Sequence, residues 1–246
     1  MRDLGYTYHR GPQALHDVSL DVTEGDFLAL VGANGSGKTT LALHLVGILR
    51  PPRGSVYILA QDMADVRARE VARLIGYVFQ NPEHQFVTET VLDEVRYTLR
   101  FRGLGEPEAT EQAVQTLRRY GLGAVRDLHP YQLSQGAKRR LSVVITLAAA
   151  PQVLVLDEPT FGQDARTNHE LLAEMVRLNE RGLTIMMITH DMEAVSRFAR
   201  SVAIMNEGRI TYQGSVADLP QQVARLHEAG LELPFRMRVQ AAVEGL

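Results

Sequence analysis

The chain has 246 residues, 45% hydrophobic and 22% charged, with a formal net charge of −3. These values fit one soluble globular domain, or one with a smaller embedded part, and exclude fibres, repeat arrays and disordered chains. The slight negative charge argues against a surface that grips nucleic acid, and zero cysteines exclude disulfides, thiol nucleophiles and cysteine metal sites, with the cytoplasm as default setting.

The N-terminus, MRDLGYTYHRG, has no apolar segment, so no signal peptide is expected there. Val18 to Val22 alternates and Phe27 to Val31 is continuously apolar, which predicts two strands around the Glu24-Gly25 turn. The second ends at Gly32. From Gly37, the spacing of Leu41, Leu45, Ile48 and Leu49 predicts a helix stopped by Pro51-Pro52. Residues 82–140 lack a comparable apolar strand and read as a helical insert. The longest apolar stretch, Leu141 to Leu156, is broken by Thr146, Pro151 and Gln152 into pieces too short to span a bilayer. If the protein works at a membrane, another chain holds it there.

Val153 to Leu156 and Thr184 to Thr189 read as buried strands, with a helix between them carrying Leu171, Met175 and Leu178 on one face. Val202 to Gly214 reads as a hairpin around Asn206-Glu-Gly208, and a helical tail follows Pro220. That tail has an apolar face that suits either a dimer contact or its own domain. Strands alternating with helices predict an α/β fold with a parallel sheet, divided as a domain over 1–220 and a tail over 221–246. Ligands of such sheets bind beyond the strands' carboxyl ends, so Gly32, Asp157, Glu158 and His190 are expected to converge on one crevice.

Gly32-Ala-Asn-Gly-Ser-Gly-Lys38-Thr39 fits the phosphate-loop pattern, which a chain of this composition produces by chance about 0.001 times. Glycines let backbone N–H groups turn toward phosphate oxygens, the following helix adds its positive end, and Lys38 bridges phosphates. Gly32, Asn34, Gly35, Ser36, Gly37, Lys38, Thr39 and Thr40 are the candidate nucleotide contacts, with the Thr39 hydroxyl also offered to magnesium. Only two of the 26 basic residues are lysines, and Lys38 is one of them. Asp157-Glu158 after a strand supplies what triphosphate hydrolysis needs: one carboxylate for magnesium and one to polarise water. A lone histidine is usually structural, and only the position of His190 past the next strand marks it as a candidate γ-phosphate contact.

The ordered set GANGSGKT at 32–39, Gln80 in YVFQNPEHQF, LSQGA at 133–137, VLVLDEP at 153–159, FGQD at 161–164 and His190 in ITHD resembles the ATP-binding cassette (ABC) family over nearly the whole chain. The resemblance implies a P-loop NTPase (RecA-like) core with an N-terminal antiparallel β part and an inserted helical subdomain. It implies ATP and magnesium as ligands, with Thr39, Gln80 and Asp157 toward the metal. Glu158 becomes the catalytic base, His190 the γ-phosphate switch, and Gln80 the link from metal to membrane partner. Tyr8 becomes the aromatic that stacks on adenine, with Tyr6 a close competitor. Ser134 and Gly136 would meet ATP on a second ATPase subunit, identical or paralogous, and Asp164 belongs to a loop crossing that dimer.

LSQGA departs from the commoner LSGGQ at positions 135 and 137. FQNPEHQF, EPTFGQDA and LELPF are similar to the ATPases of energy-coupling factor importers for cobalt, nickel and vitamins. That subtype implies a transmembrane scaffold and a small substrate-capture membrane protein, with this chain peripheral on the cytoplasmic face of the cell membrane. Glu83, Glu89, Asp93 and Glu94 form either a seat for arginine-bearing scaffold helices or a solvated helix face. Rival readings are a soluble ABC ATPase of DNA repair or translation, the ATPase of another importer class, a regulatory module with little turnover, and one half of a fused double ATPase.

Overall fold

The computed structural model describes residues 1–162 and 164–244. Its centre is a six-stranded sheet in the order β10-β9-β3-β8-β7-β6. Five strands run parallel: β6 (Ile75–Val78), β7 (Val153–Asp157), β8 (Thr184–Thr189), β3 (Phe27–Val31) and β9 (Ser201–Asn206). β10 (Arg209–Ser215) closes one edge antiparallel to β9 across the Glu207-Gly208 turn. An antiparallel pair, β1 (Leu4–Thr7) and β2 (Gln13–Val18), forms a separate sheet packed against this one. A second small pair joins β4 (Tyr57–Ile58) to β5 (Gln61–Asp62).

Successive strand residues face opposite sides, so the continuous apolar strands feed two cores at once. Phe27, Ala29 and Val31 pack with Leu171, Met175 and Val195 from α6 (Ala165–Asn179) and α7 (Met192–Phe198). Leu28 and Leu30 pack on the other side with Leu41 of α1 (Lys38–Leu45), Leu4 and Leu15. Each fully buried leucine of this kind contributes about 1.5–3 kcal/mol.

A third core belongs to α3 (Val91–Arg102), α4 (Glu106–Arg119) and α5 (Gln135–Ala148), where Val95, Leu99, Leu117 and Leu141 meet. α5 ties this core to the sheet, since its Val143 packs with the strand residues while Leu141 and Val144 face the other helices. The tail carries α8 (Val223–Glu228) and α9 (Phe235–Glu244), and its Leu226, Leu231 and Leu233 are buried against the sheet of the same chain.

Four differences from the sequence reading have physical causes. No strand covers Val18–Val22: the alternation marks burial of Val18 and Leu20, but the ladder of β2 stops at Val18, and Leu20 bonds the Met1 carbonyl instead. α1 ends at Leu45, not at Leu49, because Gly47 takes a left-handed φ of +72° and leaves Ile48 exposed. Edge strand β6, with α2 (Ala68–Leu74) before it, escaped notice because four residues of the form Ile-Gly-Tyr-Val carry too little periodicity. Finally, Glu94 is not part of an acidic surface: it is buried and its carboxylate accepts from the Val87 and Thr88 N–H groups at 2.6 and 2.7 Å.

Candidate nucleotide site

The sheet register sets β7, β8 and β3 side by side, pairing Asp157 with Ile188 and Val31 with Thr189. The loops that leave these strands therefore open on the same edge. Between β3 and α1, Gly32 to Gly37 folds into a tight loop that larger residues would not permit. A Cβ on Gly32 would sit 2.2 Å from the Met205 carbonyl oxygen, and one on Gly37, at a φ of +106°, 2.8 Å from that of Ala14. The β9–β10 hairpin braces the loop, with Gly208 N–H donating to Ser36 O at 2.9 Å.

Lys38 opens α1, and its buried ammonium donates to Gly32 O at 2.8 Å, Ala33 O at 2.9 Å and Ser36 Oγ at 3.4 Å. Burial lowers its pKa, and Glu158 and Asp157 oppose that shift. Asp157 ends β7 almost fully buried, and desolvation pushes its pKa up while the 2.6 Å hydrogen bond from Tyr77 Oη to Oδ2 pulls it down. Burial, then the same carboxylate, raises the Tyr77 hydroxyl pKa, so tyrosine stays the donor.

Glu158 follows with a φ of +45°, a left-handed conformation that costs a non-glycine residue on the order of 1–3 kcal/mol. Its N–H donates to Ile188 O at 2.9 Å, and its carboxylate accepts from Thr189 Oγ1 at 3.3 Å. Oε1 lies 2.9 Å from His190 Nδ1, so the proton between them is assigned to Nδ1 as the donor to the carboxylate. The histidine side chain is 51% exposed, whereas that of Glu158 is 9% exposed, so the pair stands at the edge of the crevice.

A cavity of about 480 Å³ gathers Tyr8, Asn34, Gly35, Gly37, Lys38, Thr39, Thr40, Gln80, Asp157 and Glu158. A neighbouring cavity of about 600 Å³ shares Thr39, Gln80 and Asp157 with it. Tyr8 presents a half-exposed ring and shares a 3.0 Å hydrogen bond with Thr40 Oγ1. Tyr6 instead packs edge-on against His44 and Tyr8. Ser134, Gly136 and Asp164 line neither cavity. Ser134 caps α5 by accepting from Ala137 N–H at 3.4 Å, and Asp164 caps α6 by accepting from Thr167 N–H at 2.9 Å. These two helix starts are neighbours, since a Cβ on Gly136 would lie 3.6 Å from Thr167 Cγ2.

Two residues that sequence reasoning passed over belong to this region. Tyr77 holds Asp157 but sits on the unrecognised strand β6. Arg139 is 3% exposed and donates to the carbonyls of Phe79 and Gln80, yet within Lys138-Arg-Arg it reads as surface charge.

Thr39, Gln80 and Asp157 offer a hydroxyl, a carboxamide and one carboxylate, all hard oxygen donors. That set suits magnesium, which binds through one or two carboxylates and takes its remaining ligands from phosphates and water. It does not suit a softer metal held wholly by protein: among the described residues no group of three or more His, Asp or Glu gathers.

A family model described as ABC transporter matches residues 15–161. The chain belongs to the ABC transporter family. The energy-coupling factor transporter ATP-binding protein EcfA1 of Lacticaseibacillus paracasei is 36% identical over 245 residues, 99% of this chain and 88% of that protein. The first curated relatives it matches are longer, and the chain spans 39% to 42% of their length. The structure of cbiO1 from Clostridium perfringens, described as part of the ABC transporter complex cbiONQ, superposes with a TM-score of 0.80 at 30% identity. It covers 97% of this ABC cassette, which in turn covers 96% of cbiO1. The ATP-binding cassette MJ0796, in a dimeric post-hydrolysis state with ADP and Pi, gives 0.79 at 27% identity over 87% of this chain and 97% of that one. The fold is thus the P-loop NTPase α/β fold, with antiparallel N-terminal strands beside a largely parallel sheet.

Proposed function

We propose that this chain binds and hydrolyses ATP as the motor subunit of an energy-coupling factor importer, driving uptake of a metal ion or vitamin. The observation that carries the reading is the Glu158–His190 pair, 2.9 Å apart beside the phosphate loop. Resemblance to EcfA1 over nearly the full length of both chains supports the subtype.

Lys38 holds the β and γ phosphates with the loop N–H groups, and Tyr8 offers its ring to adenine. Glu158 accepts the proton of the water whose oxygen bonds to the γ phosphorus as the β–γ bridging bond breaks, leaving ADP and inorganic phosphate. His190, oriented by its Nδ1–H on Glu158, turns Nε2 toward the γ phosphate, to which it donates in its imidazolium form. Thr39, Asp157 and Gln80 would hold magnesium, which when bound would neutralise developing phosphate charge. Tyr77→Phe removes a donor from the Asp157 carboxylate and is expected to raise the magnesium needed for half-maximal turnover by about tenfold. An unchanged magnesium titration would show that the tyrosine does not orient this ligand.

Ser134, Gly136 and Asp164 stand apart from the crevice of their own chain, which supports a role toward ATP held by a second ATPase subunit. Hydrolysis then follows ATP-dependent closure of that dimer. Among the described residues no helix is long and apolar enough to cross a membrane. The importer reading puts the chain on the cytoplasmic face of a transmembrane scaffold, beside a small substrate-capture protein. Affinity purification from host membranes in mild detergent, with mass spectrometry, tests this. A scaffold and a capture protein are expected, and purely soluble partners would overturn the importer reading.

A further inference from the structure

Between the end of β6 at Val78 and the 3-10 turn at Pro82–Gln85, residues 79–81 belong to neither element. Gln80 lies in this gap and lines both cavities of the nucleotide region. One face of α5 is turned toward the gap and the turn that follows it. Arg139 Nη1 donates to Phe79 O at 2.5 Å and Nη2 to Gln80 O at 2.5 Å. One turn later Ser142 Oγ donates to Gln85 Oε1 at 2.6 Å, and Gln85 Nε2 returns a bond to Thr146 Oγ1 at 2.9 Å. At the near end, Lys138 Nζ reaches Glu83 Oε1 at 2.5 Å. Residues 139, 142 and 146 follow the i, i+3, i+7 stripe of a single helix face.

We infer that Arg139 is a positioning residue, a buried fork that latches the Gln80 segment onto α5, so that the reach of Gln80 into the crevice follows this helix. The inference rests on the ATPase reading only for its kinetic consequence. A guanidinium 3% exposed loses most of its hydration, which two carbonyl acceptors and the nearby Asp157 charge offset only in part, Nε having no hydrogen-bond partner among the described residues. The planar fork engages two consecutive carbonyls at once, whereas a lysine ammonium is a single point charge on a shorter reach. The same helix begins at Ser134, so displacement of that N-terminus is carried along α5 to the residue proposed as metal ligand.

Arg139→Met and Arg139→Lys in the full chain test the latch by two readouts. Hydrogen–deuterium exchange of the Phe79–Phe86 amides is expected to rise by about tenfold in Arg139→Met, while β7 and β8 keep their protection. ATP turnover is expected to fall by about 10-fold to 100-fold with KM for ATP unchanged, because the ligand is misplaced while the phosphate loop is intact. Arg139→Lys is expected to fall between wild type and Arg139→Met on both readouts. Wild-type exchange over 79–86 in a folded Arg139→Met chain would overturn the latch. If that variant does not fold, unaltered exchange in Arg139→Lys, which keeps the charge and loses the fork, overturns it equally. A wild-type chain without ATPase activity would sink the proposed function instead, leaving the exchange measurement to decide the latch.

Discussion

Glu158→Gln is expected to lower ATP turnover by about 100-fold to 10,000-fold while ATP binding stays intact. Glutamine matches the volume of glutamate and tolerates the same backbone; its single carbonyl oxygen can still accept from His190 Nδ1, while its NH2 replaces the oxygen facing Thr189 Oγ1 and can donate to that hydroxyl instead. What it lacks is a basic oxygen to take the proton of the attacking water. The loss therefore falls on kcat, and the variant should accumulate in its ATP-bound form. Phosphate release and calorimetry with ATP, run on one preparation, separate the two effects. Hydrolysis at the wild-type rate would refute Glu158 as the base.

Lys38→Ala is expected to strike binding itself. Its ammonium is poised among three oxygen acceptors at the start of α1 and carries the positive side-chain charge of the loop. Charge-assisted hydrogen bonds are worth about 1.5–3 kcal/mol each, so losing one or two phosphate contacts weakens the triphosphate by about 10-fold to well over 100-fold. Calorimetry with a non-hydrolysable analogue measures this directly, with a melting curve to confirm folding. Unchanged affinity would remove the phosphate loop from the binding site.

The phosphate loop was readable because its geometry admits so few residues. Backbone packed against the Met205 and Ala14 carbonyls demands glycine at 32 and 37, and a continuous apolar run before it announces a buried strand. The crevice followed from the same logic, since Asp157, Glu158 and His190 each sit where such a run ends. Weak ladders were harder to read. β4 and β5 are two residues each, β6 is four, and β1 meets β2 through irregular register, so none leaves a period long enough to register. Buried charge was also opaque. Arg139 and Glu94 look like solvated residues until the carbonyls and amides that receive them are in place. The tail shows a third case: its apolar face suited two destinations, and the side of the sheet packed by α6 and α7 took Leu226, Leu231 and Leu233.

The distribution of cations has a consequence for chemistry at the surface. Lys38 and Lys138 are 6% and 7% exposed, and every other basic side chain counted in the 26 is an arginine. Arginine keeps its charge across the whole accessible pH range and has no amine to acylate. The positive charge on this molecule's surface is therefore fixed, out of reach of the acetyl transfer that silences lysines elsewhere. An amine-directed acylating reagent would find both lysine side chains shielded, so any lysine labelling reports local opening around Lys38 or Lys138.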